Sequence, residues 1–253
     1  MTQTSSGIQV IDRATALLDI LASQPHASLK LVAAESGLHP STAFRILNAL
    51  ASHGMVSRDA QGHYQLGTRL LGWADRVRSR LDLRSEARPE MEWLRDQVGE
   101  TVNLTVREGD EVIYLERVTA RHAVRVEQVI GSHAPLHVTA VGKLMLGELG
   151  EAAIRDYAAR TGLPRYTAKT VTELPALQRE IRQAVADGYA YDDEEAEPGV
   201  GCIGVLVRDS SGAVVAGLSI SAPIERWQQD WVTLVGEAGR RISRRLGYDP
   251  GPV

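Results

Sequence analysis

Ser41, Thr42 and Arg45 stand close together in the stretch GLHPSTAFRIL, just behind a proline that can open a helix. On a helix Arg45 lies one turn beyond Ser41, so a guanidinium and a hydroxyl share a face. That pairing suits nucleic acid, because arginine can grip a guanine edge with two hydrogen bonds and a hydroxyl can serve bases or phosphates. Arg58 and His63 flank the tetrapeptide DAQG, and Lys30 lies upstream; all three are candidate contacts to the same duplex. A different chemistry is open to Cys202, the only cysteine, which could pair with a histidine as nucleophile and base. Against that, no local signature surrounds it, and burial in the apolar run GCIGVLV would raise its pKa and silence the thiol. His133, His137, Asp192 and Cys202 are too scattered for a metal-ligand spacing, and no cofactor is expected.

These side chains need elements to hold them. IQVIDRATALLDILAS places Ile8, Ile11, Ala14, Leu17, Leu18 and Leu21 at helical spacing, and QPH stops it. SLKLVAAESG opens at the N-cap residue Ser28 and closes at Gly37. HPSTAFRILNALASHG starts again with Pro40 in the first turn and ends at Gly54. Met55 to Arg58 and His63 to Leu66 read as two short strands. Helix, tight turn and helix make a helix-turn-helix whose second helix can enter the major groove, with the hairpin as a wing. Val32, Ala33, Leu38, Ala43, Ile46 and Leu47 are expected to pack inward.

Charge divides along the chain. Up to Arg88 there are ten Lys and Arg against seven Asp and Glu, whereas the remainder holds eighteen against twenty-five. A positive end on an acidic body fits an anionic partner for that end alone. No apolar run approaches the roughly 20 residues of a membrane span, and the start lacks a basic region followed by an apolar one. With one cysteine no internal disulfide is possible. A cytoplasmic protein without membrane contact is the expectation.

The length suits two domains. We place a winged helix-turn-helix at 1–67, a helical linker at 68–82 and a second domain at 83–253. Leu66, Leu70, Leu71 and Trp73 continue an apolar stripe, with Arg69, Arg76, Arg78, Arg80, Arg84 and Arg88 on the other side. From Thr101 strands and helices alternate: TVNLTV, EVIYLERVT and VRVEQVIG as strands, AVGKLMLGEL and ELPALQREIRQAVADG as helices. YAYDDEE, GCIGVLVRDSSGAVVAGLSISAP and a helix from Trp231 to Leu246 complete an α+β fold with an antiparallel sheet and helices on its faces. A purely architectural DNA-binding protein would not need so large a second domain.

In order along the chain, RATALLDIL, GLHPSTAFRIL and YQLGTRLLGWA, then GETVNLTV, PLHVTAVGKLML, YAYDDEEAEPGVGCIGVLVRD and LSISAP, resemble the IclR family of transcriptional regulators. The resemblance implies a GAF-like effector-binding domain at the carboxy-terminal end. It further implies a dimer or dimer of dimers that binds double-stranded operator DNA and responds to a small organic molecule, often a carboxylic acid. Carried onto this sequence, the family's pocket falls on Ala140, Val141, Asp192, Cys202, Ser219 and Ser221. The residue chemistry agrees. TAVGK runs into a helix whose first amides could receive a carboxylate, and Ser219 and Ser221 alternate on one strand and so share a face. Some relatives carry Gly where Ala140 stands, and the added methyl narrows the approach to the backbone.

Overall fold

The computed structural model describes residues 8–24, 26–78 and 81–249, with Arg78 by its backbone alone. The chain divides into two units, Met1–Arg80 and Leu81–Val253, each with its own core. Pro25 and Arg80, both invoked above, lie outside the described residues.

In the first unit, helices α1 (Gln9–Ser23), α2 (Leu29–Ser36) and α3 (Pro40–Ser52) precede a hairpin of β1 (Val56–Arg58) and β2 (Tyr64–Leu66). Ser28 caps α2 by accepting from the Leu31 amide, and Gly37 ends it in the left-handed conformation. Leu17, Leu21, Val32, Leu47, Val56 and Tyr64 form the core, which Leu38 and Ile46 flank. Ala27 bridges to Tyr64, stitching the hairpin to the helices. Each wing strand is one residue shorter than expected, because Met55 and His63 serve the turns. At Gly67 the chain crosses Gly54 so closely that a Cβ would stand 2.1 Å from the Gly54 carbonyl oxygen. Helix α4 (Arg69–Arg78) follows, with Leu71, Trp73 and Val77 exposed. The helical expectation does not extend to Leu81 and Asp82: Asp82 is extended and caps the next helix through the Ser85 amide.

The second unit is a six-stranded antiparallel sheet in the order β5-β4-β3-β8-β7-β6. Its strands are β3 (Thr101–Glu108), β4 (Glu111–Val118), β5 (His133–Pro135), β6 (Ala190–Asp193), β7 (Val200–Arg208) and β8 (Val214–Pro223). One face is apolar: Val102, Leu104, Ile203, Leu218 and Ile220 pack under α5 (Leu83–Val98) and α8 (Trp231–Arg245). The other carries α6 (Ala140–Thr161) and α7 (Leu174–Asp187). Helix α6 runs well beyond the expected AVGKLMLGEL, resuming after a break at Gly150 whose φ is 84°.

One expected strand is absent. Val124–Gly131, read from VRVEQVIG, is irregular backbone. Its carbonyls are taken by side chains reaching up from the sheet, Thr101 to Val126 and Arg117 to Gln128, while β5 occupies the edge of β4. Alternation of apolar residues describes this stretch, yet ladder hydrogen bonds do not.

Candidate functional site

Helix α3 carries the candidate DNA-contacting residues Ser41, Thr42 and Arg45. Pro40 sits in its first turn, and His39 caps it by accepting from the Ser41 amide. Ser41 and Arg45 are both exposed and Thr42 half-buried. The Ser41 hydroxyl lies 2.8 Å from His39 Nδ1, which fixes its direction. Arg45 and Thr42 border a groove of 490 Å³ that they share with Val10, Arg13, Ile46 and His53. Lys30 is exposed in the first turn of α2. On the wing, Arg58 is not a free arm: its Nε donates to the Gly62 carbonyl and its guanidinium lies over the Tyr64 ring. His63 Nδ1 stands 3.4 Å from Asp59 Oδ2, and His26 Nδ1 lies 3.5 Å from the same oxygen. The wing tip therefore mixes one carboxylate with three groups able to carry positive charge.

In the second unit the sheet face under α6 is polar where a sheet interior is usually apolar. Register explains it. Asp192 opposes Cys202, Cys202 opposes Ser221 and Ser219 opposes Asn103, so these side chains emerge on one face of neighbouring strands. Cys202 Sγ lies 3.2 Å from Ser221 Oγ, and Asn103 Nδ2 donates to Ser221 Oγ and to Gln128 Oε1, each at 3.1 Å. A polar chain thus crosses from the irregular 124–131 segment to β6. Ser219 and Cys202 keep 6% and 9% of their surface exposed although they lie beneath a helix, so the face is not fully packed.

Two glycines bring the start of α6 down onto this face. A Cβ on Gly204 or Gly217 would meet Val141 Cγ1 or Cβ at 2.6 Å. The Ala140 and Val141 side chains are consequently buried, and Thr139 gives α6 no side-chain cap. A helix start without a cap leaves its first amides for another acceptor.

Charge is confined to one end. Asp192 Oδ1 accepts from the Glu195 and Ala196 amides at 2.8 and 3.4 Å. Burial nevertheless lifts its carboxyl to about 6, with those amides and Lys143 pulling the other way. Lys143 is itself buried and pairs with Glu195 at 2.6 Å and Glu180 at 3.1 Å. Burial opposes its charge, but the two carboxylates outweigh that and hold the ammonium above the usual lysine value. Burial and the Asp192 charge push the Cys202 thiol well above its ordinary value, so it is a poor nucleophile. Burial likewise raises the Tyr114 hydroxyl, with Cys202 and Asp192 adding to the effect.

All six expected pocket residues therefore lie on or against one sheet face. Sequence reasoning passed over Asn103, Gln128 and Tyr114. The first was legible: in TVNLTV the polar Thr101, Asn103 and Thr105 alternate with Val102, Leu104 and Val106. His137 plays another part, with its ring nitrogens bonded to the Tyr157 hydroxyl and the Pro164 carbonyl. Among the described residues no group of three or more His, Cys, Asp or Glu is placed to hold a metal ion.

Two family profiles match this chain. The IclR helix-turn-helix domain covers residues 10–60, and the profile described as Bacterial transcriptional regulator IclR C-terminal covers 76–246. The chain belongs to the IclR family. The HTH-type transcriptional repressor AllR of Klebsiella pneumoniae is 35% identical over 250 residues, 96% of this chain and 92% of the relative. The repressor BlcR of Agobacterium tumefaciens superposes with a TM-score of 0.77 at 30% identity, covering 97% of this chain and 100% of that one. An IclR homolog of Microbacterium hydrocarbonoxydans, solved in complex with 4-hydroxybenzoate, gives a TM-score of 0.61 at 28% identity over 94% and 98% of the two chains. As an IclR-family protein it is a DNA-binding transcriptional regulator with a carboxy-terminal effector-binding domain, and not an enzyme. No helix among the described residues is long and apolar enough to cross a membrane.

Proposed function

We propose that this regulator is a cytoplasmic repressor that reads operator DNA through α3 and senses a small carboxylic acid on the polar sheet face of its second unit. Ser41, Thr42 and Arg45 contact base edges and phosphates in the major groove, while Lys30, Arg58 and His63 contact the backbone. The effector's carboxylate meets the first amides of α6 at Ala140 and Val141. Asp192, Cys202, Ser219 and Ser221 complete the pocket with hydrogen-bonding groups. The observation that carries this reading is the row of Asp192, Cys202, Ser221, Ser219 and Asn103 beneath an uncapped helix start. A buried face would be apolar if packing alone had shaped it. The homolog bound to 4-hydroxybenzoate, an aromatic acid, supports the ligand class.

A homo-oligomer completes the proposal. Ile8, Val10 and Ile11 on and just before α1, and Leu71, Trp73 and Val77 on α4, expose apolar side chains that a second copy would cover. Operator binding then responds to ligand only if the acid favours one arrangement of the paired reading units.

The test replaces Ser219 and Ser221 together by alanine. Wild type and variant are titrated with small keto, hydroxy and aromatic acids by calorimetry, and operator affinity is followed by anisotropy. The variant should bind operator as wild type does in the absence of acid and should lose the response to it. An undiminished response would place the effector elsewhere.

A further inference from the structure

Asn103 is the third residue of β3, an interior strand, and is fully buried. Both of its amide hydrogens are spent, one on Gln128 Oε1 and one on Ser221 Oγ, which fixes its carbonyl oxygen in the opposite direction. That oxygen, Oδ1, has no hydrogen-bond partner among the described residues. Buried acceptors in folded proteins are nearly always paired, so an orphan asks for an account.

The neighbours do not supply a proton. The Thr101 hydroxyl donates to the Val126 carbonyl and the Thr105 hydroxyl to that of Gly217. Ser221 Oγ receives the Asn103 hydrogen and shares its other contact with Cys202. Ser219, the cross-strand partner of Asn103, is buried but not completely enclosed. Opposite each other in register, Asn103 and Ser219 thus offer an unpaired buried acceptor and a hydroxyl. A hydroxyl group of a bound molecule answers both, giving its hydrogen to one and accepting from the other.

We infer that Asn103 is a specificity-determining residue of this pocket, its side-chain carbonyl selecting an organic acid that carries a hydrogen-bond donor, a hydroxyl above all. The inference rests on the effector reading above and narrows it. A site that holds a polar group ready for a ligand hydroxyl rejects the analogue without one more strongly than an apolar site can, because the group is left buried and unpaired. Gln128 is a positioning residue here, holding the Asn103 amide from the irregular 124–131 segment.

The experiment uses the full chain and two matched pairs of probes, lactate with pyruvate and 4-hydroxybenzoate with benzoate. Calorimetry on wild type should show the hydroxyl-bearing member of at least one pair binding roughly tenfold or more tightly. Asn103→Leu, close in size, and Asn103→Thr, a good strand former, should bring that ratio near one while carboxylate binding persists. Either variant suffices once a melting curve shows it folded. A mere packing role would weaken both members of a pair together and leave the ratio intact. If wild type binds the acids without preferring the hydroxyl, or the ratio survives in a folded Asn103 variant, the assignment to Asn103 is overturned while the effector reading stands. If none of the four acids binds wild type, the effector reading falls and takes this inference with it.

Discussion

Arg45 shows how little a residue's chemistry means without its address. It is exposed on α3, and no core contact depends on its guanidinium. Arg45→Ala should cost about 1–3 kcal/mol of operator binding if it reads a guanine edge, with folding unchanged. A fluorescence anisotropy titration checks the first and a thermal melt the second. Asp192 is the opposite case, a carboxylate whose ionisation is resisted by its surroundings. Its pKa is about 6 against an ordinary 3.8, so the folded state keeps a proton that the unfolded chain has already lost between those values. The stabilisation it lends is complete below pH 4, drains away as pH rises toward 6, and is gone above. Asp192→Asn, which keeps the acceptor for the Glu195 and Ala196 amides, should therefore stabilise the second unit by about 1–3 kcal/mol at pH 8 and by little at pH 4. Urea unfolding at the two pH values measures it. A variant that gains equally at both would show the carboxyl to be ionised throughout.

At the scale of elements, close approach between backbones is the recurring device. Gly67 permits the crossing at Gly54 that closes the wing, and any side chain there collides with a carbonyl rather than with a movable group. Gly67→Ala should destabilise the first unit by about 1–3 kcal/mol or more and broaden its melt, without altering ligand binding by the second. The helix-turn-helix was almost wholly legible in sequence, because Ser28, Gly37, Pro40 and Gly54 each impose a local boundary that needs no distant partner. The sheet was less so. Strand-like composition marked the segments of β3, β4, β7 and β8, but it also marked 124–131, where the decisive fact is non-local: Thr101 and Arg117 claim the carbonyls a ladder would use. The pocket shows the same limit. The alternation of Ser219 and Ser221 on one strand could be read directly, whereas the meeting of Asn103 with Ser221 depends on a register between residues 118 positions apart.

For the molecule as a whole, two cores in two units predict two separable stabilities. A fragment spanning 81–253 should fold and bind the acid with the affinity of the full chain while binding no DNA. Calorimetry and a gel shift on that fragment decide the point. In the proposed homo-oligomer the exposed apolar residues of α4 belong to the interface. Trp73→Glu should shift the sedimentation profile toward the monomer and weaken operator binding well beyond the loss of one contact, because two half-sites then no longer act as one. An unchanged profile would remove α4 from the interface.

The irregular 124–131 segment has a bearing on time. It lies over the polar face on side-chain tethers from Thr101, Asn103 and Arg117, with a main-chain bond to β4 at Gly131. Arg226 adds a bond to the Val124 carbonyl and Arg117 an ion pair to Glu127, so most of the segment's ties are side-chain contacts, the kind of hold that opens locally without global unfolding. If the proposed effector binds beneath this segment, it leaves no faster than the cover opens, and that rate would set how long a cell remembers an acid after its supply has ended.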